Sequence, residues 1–102
     1  MPNMTTRKAV AAFMNRAAYK KFGKNTEVYT NEVSGDTYLE LHGSPIAWLD
    51  PDNVLRITSA GWETHTTKER LNGLPNVNVY QHQFQWYLNN EEWEDSGKWT
   101  KV

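Results

Sequence analysis

Residues 26–59, TEVYTNEVSGDTYLELHGSPIAWLDPDNVLRITS, decide the fold class. Apolar and polar residues alternate through them with a period of two, the repeat of a strand that buries one face. Thr26 to Thr30 and Thr37 to His42 read as a hairpin, with Leu39 and Leu41 on one face and a turn at Ser34, Gly35 and Asp36. Pro45 to Leu49 follows, with Ile46 and Trp48 assigned to one side. Asp50, Pro51, Asp52 and Asn53 have the composition of a turn. Val54 to Ser59 then resumes the alternation, Leu55 and Ile57 against Arg56 and Thr58. The segment is a meander of short strands.

Downstream, Asn76 to Gln81 and Phe84 to Leu88 extend the sheet, with Val77, Val79, Phe84, Trp86 and Leu88 expected inward. Upstream, the spacing becomes helical. Thr5 or Thr6 is the expected cap, Arg7 to Phe22 contains no Pro or Gly, and Gly23 supplies a stop. Val10, Phe13, Met14, Ala17 and Ala18 form the expected buried stripe, and Arg16 and Lys20 lie toward the other side as a pair of like charge. Between the strand groups, Thr66 and Glu69 have the form of a capping box, Gly73 is placed for a left-handed stop and Pro75 forbids continuation. A second, short helix near residues 67–72 is predicted. The expected fold class is therefore α+β: an antiparallel sheet of about five or six short strands, an N-terminal amphipathic helix and a second short helix. Its core is assigned to Leu39, Leu41, Ile46, Trp48, Leu55, Ile57, Val79, Trp86 and Leu88.

A chain of 102 residues has room for one domain, divided by character into a basic helix (1–24), the sheet with its short helix (25–88) and an acidic, Trp-containing tail (89–102). One of Trp93 and Trp99 is expected to pack on the sheet, and the last residues to fray. With no cysteine and 5 tryptophans, the core rests on few, large side chains and no disulfide or thiolate metal site exists. Met1 to Lys8 carry no apolar signal-peptide core, and no run of apolar residues is long enough to cross a membrane. The expectation is a chain of the cell interior without a membrane partner. Net charge is −1, but residues 1–24 hold six basic groups and no acid, and the other 78 residues hold five basic groups and all 12 acids. Two readings stand open. The basic segment either faces an anionic partner such as nucleic acid, or lies against an acidic surface of its own chain or of a second copy in a homodimer.

The residues that carry chemistry point to binding. His42, His65 and His82 lack the spacing of a helical metal site, no serine sits in a nucleophile elbow, and Asp50 and Asp52 belong to a turn. No catalytic residue, metal site or cofactor is therefore expected, and the chain is read as not an enzyme. The favoured site is the Thr-rich helix start. Thr64, Thr66 and Thr67 offer hydroxyls beside free helix amides, Lys68 and Arg70 add positive charge, and Trp62 stands just ahead as a stacking platform or core anchor. That arrangement suits a phosphate or a partner carboxylate; its plain structural reading is a well-capped helix with Arg70 paired to Glu69 or to a carboxylate of the sheet. Gln81, Gln83, Gln85 and Tyr87 are expected to share one exposed face able to contact bases or a protein. Arg7, Lys8, Arg16, Lys20 and Lys21 of the basic helix complete the candidate set.

The block Ala60-Gly61-Trp62, Thr64, Thr66-Thr67, Arg70-Leu71-Asn72, Val79, Gln81 and Trp86-Tyr87-Leu88 resembles a recurrent set of short phage-encoded proteins. Those proteins share a Gly-Trp, a threonine cluster, an Arg-Leu/Ile-Asn helix and a Gln followed by a Trp-Tyr strand. The likeness covers residues 37–93 and leaves the basic helix outside. It implies a phage source, the cytoplasm of the infected bacterial host, and an accessory role without transferable catalytic residues. The leading expectation is a binding protein that modulates a host protein, an inhibitor of a host defence system being one form. The alternative is a nucleic-acid or nucleotide-binding module using the basic helix and the Thr-rich helix start.

Overall fold

In the computed structural model, which describes residues 2–102, the N-terminal helix is shorter than its pattern implies. α1 spans Met4–Met14 and is capped by Asn3, whose side chain accepts from the Thr6 amide at 2.9 Å. Thr5 and Thr6 lie inside the helix. Its buried stripe is Thr6, Ala9 and Phe13, while Met14 is exposed and Ala17 and Ala18 fall beyond the end. The stop is Arg16, at φ 55°, well before Gly23. A left-handed residue costs roughly 1–2 kcal/mol. Here it lets the guanidinium donate to the carbonyls of Gly35 at 3.0 Å, Leu49 at 3.2 Å and Asp50, and to Thr37 Oγ1 at 3.3 Å and Asn53 Oδ1 at 3.0 Å. Charged hydrogen bonds of this kind outweigh the backbone cost. The expected pair with Lys20 on a helix face therefore does not form.

The residues after Arg16 become a strand because a partner is at hand. β1 (Tyr19–Phe22) pairs antiparallel with β2 (Thr26–Thr30), which pairs with β3 (Thr37–Leu41). β4 (Ser44–Leu49) and β5 (Leu55–Ile57) continue the meander, and β9 (Thr100–Lys101) returns from the far end of the chain to close it. The result is a six-stranded sheet in the order β1-β2-β3-β4-β5-β9. A register shift between β3 and β4 leaves Ile46 as the extra residue, between Pro45 opposite Glu40 and Ala47 opposite Leu39. The extra residue puts Ile46 and Ala47 both in the core and turns Trp48 outward, so Ile46 and Trp48 do not share a side. The other eight expected core residues are all buried. After Ile57 the chain leaves the sheet, and Thr58, expected outward, is buried with its hydroxyl donating to the Ser96 carbonyl at 2.9 Å.

α2 (His65–Leu71) is capped by Thr64, which accepts from the Thr67 amide at 3.2 Å. The expected capping box at Thr66 is not used, because the Glu69 carboxylate turns away to α1. Gly73 is not left-handed either. A Cβ there would stand 2.5 Å from Thr6 Cγ2 and 3.1 Å from Val10 Cγ2, so glycine permits the helices to touch. Asn72 then acts as a short substitute strand, accepting from the Val79 amide at 2.6 Å and donating to the Val79 carbonyl at 2.9 Å.

β6 (Val79–His82), β7 (Gln85–Leu88) and β8 (Glu91–Glu92) form a separate three-stranded sheet. Gln83 and Phe84, at φ 49° and 67°, make the two-residue turn between β6 and β7. Phe84 is thereby 96% exposed where the alternation placed it inward. The tail, expected to fray, is packed and paired to Lys101. Trp93 is buried, its indole donates to Thr100 Oγ1 at 2.9 Å, and that bond leads into β9.

Gly73→Ala is expected to lower stability by about 1–3 kcal/mol, the usual cost of overpacking. An unchanged urea-denaturation midpoint would contradict the close approach of α1 and α2.

Candidate functional site

Arg70, the centre of the site expected from sequence, is buried beneath α2. Its Nε donates to Thr26 Oγ1 at 3.0 Å, one terminal nitrogen to Thr6 Oγ1 at 2.7 Å and Glu69 Oε1 at 2.5 Å, and the other to Asn25 Oδ1 at 3.4 Å. Glu69 in turn accepts from the Thr6 hydroxyl and from the Asn3 amide at 2.8 Å. Burial pushes the Glu69 carboxyl upward, but the bonds from Thr6, Asn3 and Arg70 prevail and hold it below the ordinary glutamate range. These contacts match the plain reading of a structural Arg70–Glu69 pair. Thr67 is likewise buried and bonded to Thr64, while Thr66 is half-buried and Trp62 is exposed.

Lys68 and Gln81 do meet. The Lys68 ammonium donates to Gln81 Oε1 at 3.5 Å and lies 5.6 Å from the centre of the Trp86 ring. They border an open cleft of about 580 Å³ between α2 and β6, with His65, Asn72 and Tyr80. Tyr87 is on the opposite side of the small sheet, stacked on Tyr80 at 5.1 Å. The register explains this: the two-residue turn pairs Gln81 with Trp86 and Tyr80 with Tyr87, so Gln81 and Tyr87 cannot share a face. The basic residues divide too. Arg7 and Lys8 are exposed on α1 and Lys20 and Lys21 on β1, and none forms an ion pair among the described residues. None of them is paired with Glu91, Glu92, Glu94 or Asp95.

The larger chemical surface was not among the candidates. Val28, Leu39, Ala47 and Ile57 of the six-stranded sheet belong to the same core cluster as Ala9 and Phe13. Their neighbours in sequence therefore point the other way. Register then lines up Tyr19, Tyr29, Tyr38, Trp48, Arg56 and Lys101 in one row across all six strands. Tyr29 and Tyr38 have ring centres 5.4 Å apart, Tyr38 and Trp48 6.3 Å, and Trp99 meets Trp48 edge-on at 5.6 Å. The Arg56 guanidinium lies 4.6 Å from the centre of the Trp48 ring and 2.9 Å from Asp50 Oδ2. Tyr19 is 58% and Trp99 41% exposed, and the rings between them are half-buried mainly by one another.

Carboxylates flank the row. Asp36 accepts from the Trp48 indole at 2.8 Å. Glu27 stands directly opposite Glu40 on the adjoining row and accepts from the Tyr19 hydroxyl at 2.9 Å. Burial is the main cause that lifts the Glu40 carboxyl above its ordinary range; the Tyr29 hydroxyl opposes the rise and the Glu27 charge adds to it. The signal for this surface is in the sequence, as the outward parity of Glu27, Tyr29, Tyr38, Glu40 and Arg56. It is hidden by assigning Trp48 to the core and Tyr19 to a helix. An aromatic row edged with acceptors offers ring stacking, cation–π contact and hydrogen bonds to a docked surface.

A family model described as Kyanoviridae Gp96 protein matches residues 1–101, and so includes the basic helix that the sequence resemblance left out. No curated protein and no solved structure matches the chain.

Arg70→Ala removes the buried guanidinium and its bonds to Thr6, Thr26 and half-buried Glu69, and is expected to cost about 1–3 kcal/mol of stability. Because the folded state depresses the Glu69 pKa, the stabilisation is complete above the unfolded value of about 4.3 and fades as pH falls through the folded value. Urea titrations should show wild type losing more stability than Glu69→Gln on acidification below that pH. Parallel curves would contradict the network.

Proposed function

The chain belongs to the Kyanoviridae Gp96 family of phage proteins, and from that premise we propose that it is a non-enzymatic accessory protein that binds and modulates a host protein through the aromatic face of its six-stranded sheet. The observation that carries this reading is the row from Tyr19 to Trp48 with Trp99 at its end, a large aromatic surface that the fold leaves facing solvent. Aromatic rings are enriched at protein interfaces, and a contiguous exposed patch marks an interaction site more often than an isolated apolar residue does. Around the rings the face carries Glu27, Asp36 and Glu40 without ion-pair partners among the described residues, while Asp50 takes up the charge of Arg56; Lys21 and Lys101 stand on the two outer strands, so the centre of the face disfavours the phosphates of a nucleic acid.

A second reading has its own observation. Lys8 and Lys20 flank a shallow groove with Ala11, Ala12, Ala17 and Phe22, and Arg7 and Lys21 stand nearby in sequence without ion-pair partners among the described residues. That surface is where the nucleic-acid alternative would act. The expected setting of either is the cytoplasm of the infected host; among the described residues no helix is long and apolar enough to cross a membrane.

The tagged chain, incubated with nuclease-treated host extract, is expected to retain one host protein, and Tyr38→Ser is expected to release it. Tyr38→Ser removes two ring contacts, with Tyr29 and Trp48, each worth about 0.5–1.5 kcal/mol and both on the solvent face, so the variant should remain folded by circular dichroism. Capture that disappears on nuclease treatment, or that survives Tyr38→Ser but not Lys8→Glu with Lys20→Glu, would move the function to the basic groove.

A further inference from the structure

Two parts of the aromatic face have the same ingredients, and one of them lacks a component. At one end, the Arg56 guanidinium rests over the Trp48 ring at 4.6 Å while bonding to Asp50 at 2.9 Å. Ring, carboxylate and guanidinium complete one another there: the cation meets the negative face of the ring and the carboxylate takes its hydrogen bonds. At the other end, Glu27 and Glu40 face each other across β2 and β3, beside Tyr19, Tyr29 and Tyr38. Rings and carboxylates are present. No guanidinium or ammonium of the described residues pairs with either glutamate.

Like charges directly opposite on neighbouring strands are destabilising, and among the described residues no ion pair offsets this one. Lys21 is the cross-strand partner of Glu27 but forms no ion pair with it. The carboxylates are instead oriented by tyrosines, Glu27 accepting from the Tyr19 hydroxyl and Glu40 lying against that of Tyr29. Both are thus fixed, charged and half-buried in an aromatic surround. Resting on the reading of this face as the binding surface, we propose that its occupant is an arginine-bearing segment of the partner protein, with a guanidinium seated between Glu27 and Glu40 and over the neighbouring tyrosine rings. The site repeats in trans what Arg56, Trp48 and Asp50 do in cis. Arginine suits it better than lysine because a planar guanidinium can stack and bridge two carboxylates at once.

The test uses the full chain and four probes at low salt: octa-arginine, octa-lysine, octa-glutamate and an eight-nucleotide poly-dT. Calorimetric titration is expected to show octa-arginine binding more tightly than octa-lysine, and neither of the anionic probes binding. Glu27→Gln with Glu40→Gln should weaken octa-arginine by about tenfold while the melting temperature holds or rises, since a repulsion has been removed. Glu91→Gln, Glu92→Gln and Glu94→Gln together should leave that affinity unchanged. If the tail variant abolishes binding and the Glu27 and Glu40 variant does not, the attraction is general acidity and the proposal fails. Poly-dT binding in place of octa-arginine would also overturn it. The underlying reading is separable: a host protein released by Tyr38→Ser but kept by the Glu27 and Glu40 variant preserves the aromatic face and refutes the arginine. A host protein kept by both refutes the two together.

Discussion

The Arg70 guanidinium is a full charge held in the interior, and a charge there is tolerated only while its partners stay in place. Those partners come from parts of the chain far apart in sequence: Thr6 of α1, Thr26 of β2, Asn25 before it, and Glu69 beside it. Glu69 extends the network to the start of α1 through Thr6 and the Asn3 amide. The two helices are therefore fixed to each other and to the sheet by one connected set of polar bonds. Gly73 allows the contact by leaving room for Thr6 and Val10. A network of this kind specifies a single arrangement, because a partial version leaves the charge unsatisfied.

Fixing the helices on one side of the sheet leaves the other side to solvent. The inner face spends its apolar residues, Val28, Leu39, Ala47 and Ile57, on the core. Strand alternation then obliges residues 29, 38, 48 and 56 to face outward, and they are Tyr, Tyr, Trp and Arg. Arg16 has a related part at the edge, tying the end of α1 to the turns after β2 and β4. The solvent-facing row is thus a direct consequence of how the interior is closed.

The meander was legible in residues 26–59 because a buried face imposes a period of two whatever covers it. Residues 19–22 were not, since Tyr-Lys-Lys-Phe suits a helix or an edge strand and only pairing with β2 decides between them. Local chemistry was misleading where a side chain had a distant use. Thr66 and Glu69 have a capping-box spacing, yet Glu69 gains more from Thr6, Asn3 and Arg70. The bulge at Ile46 reversed the parity of Trp48, which moved it from the expected core into the aromatic row. Nothing local to either residue brings Lys68 to Gln81, because the hairpin turn at Gln83 and Phe84 sets which residues share a face.

Partner docking is proposed for the sheet face that bears Trp48 and Trp99. Its most direct test is to follow the indole N–H resonances of the tryptophans as the host partner is added. Shifts are expected at Trp48 and Trp99, with the buried Trp86 and Trp93 signals unchanged. Shifts confined to Trp62, or to Trp86 beside Lys68, would contradict it and place the contact at α2.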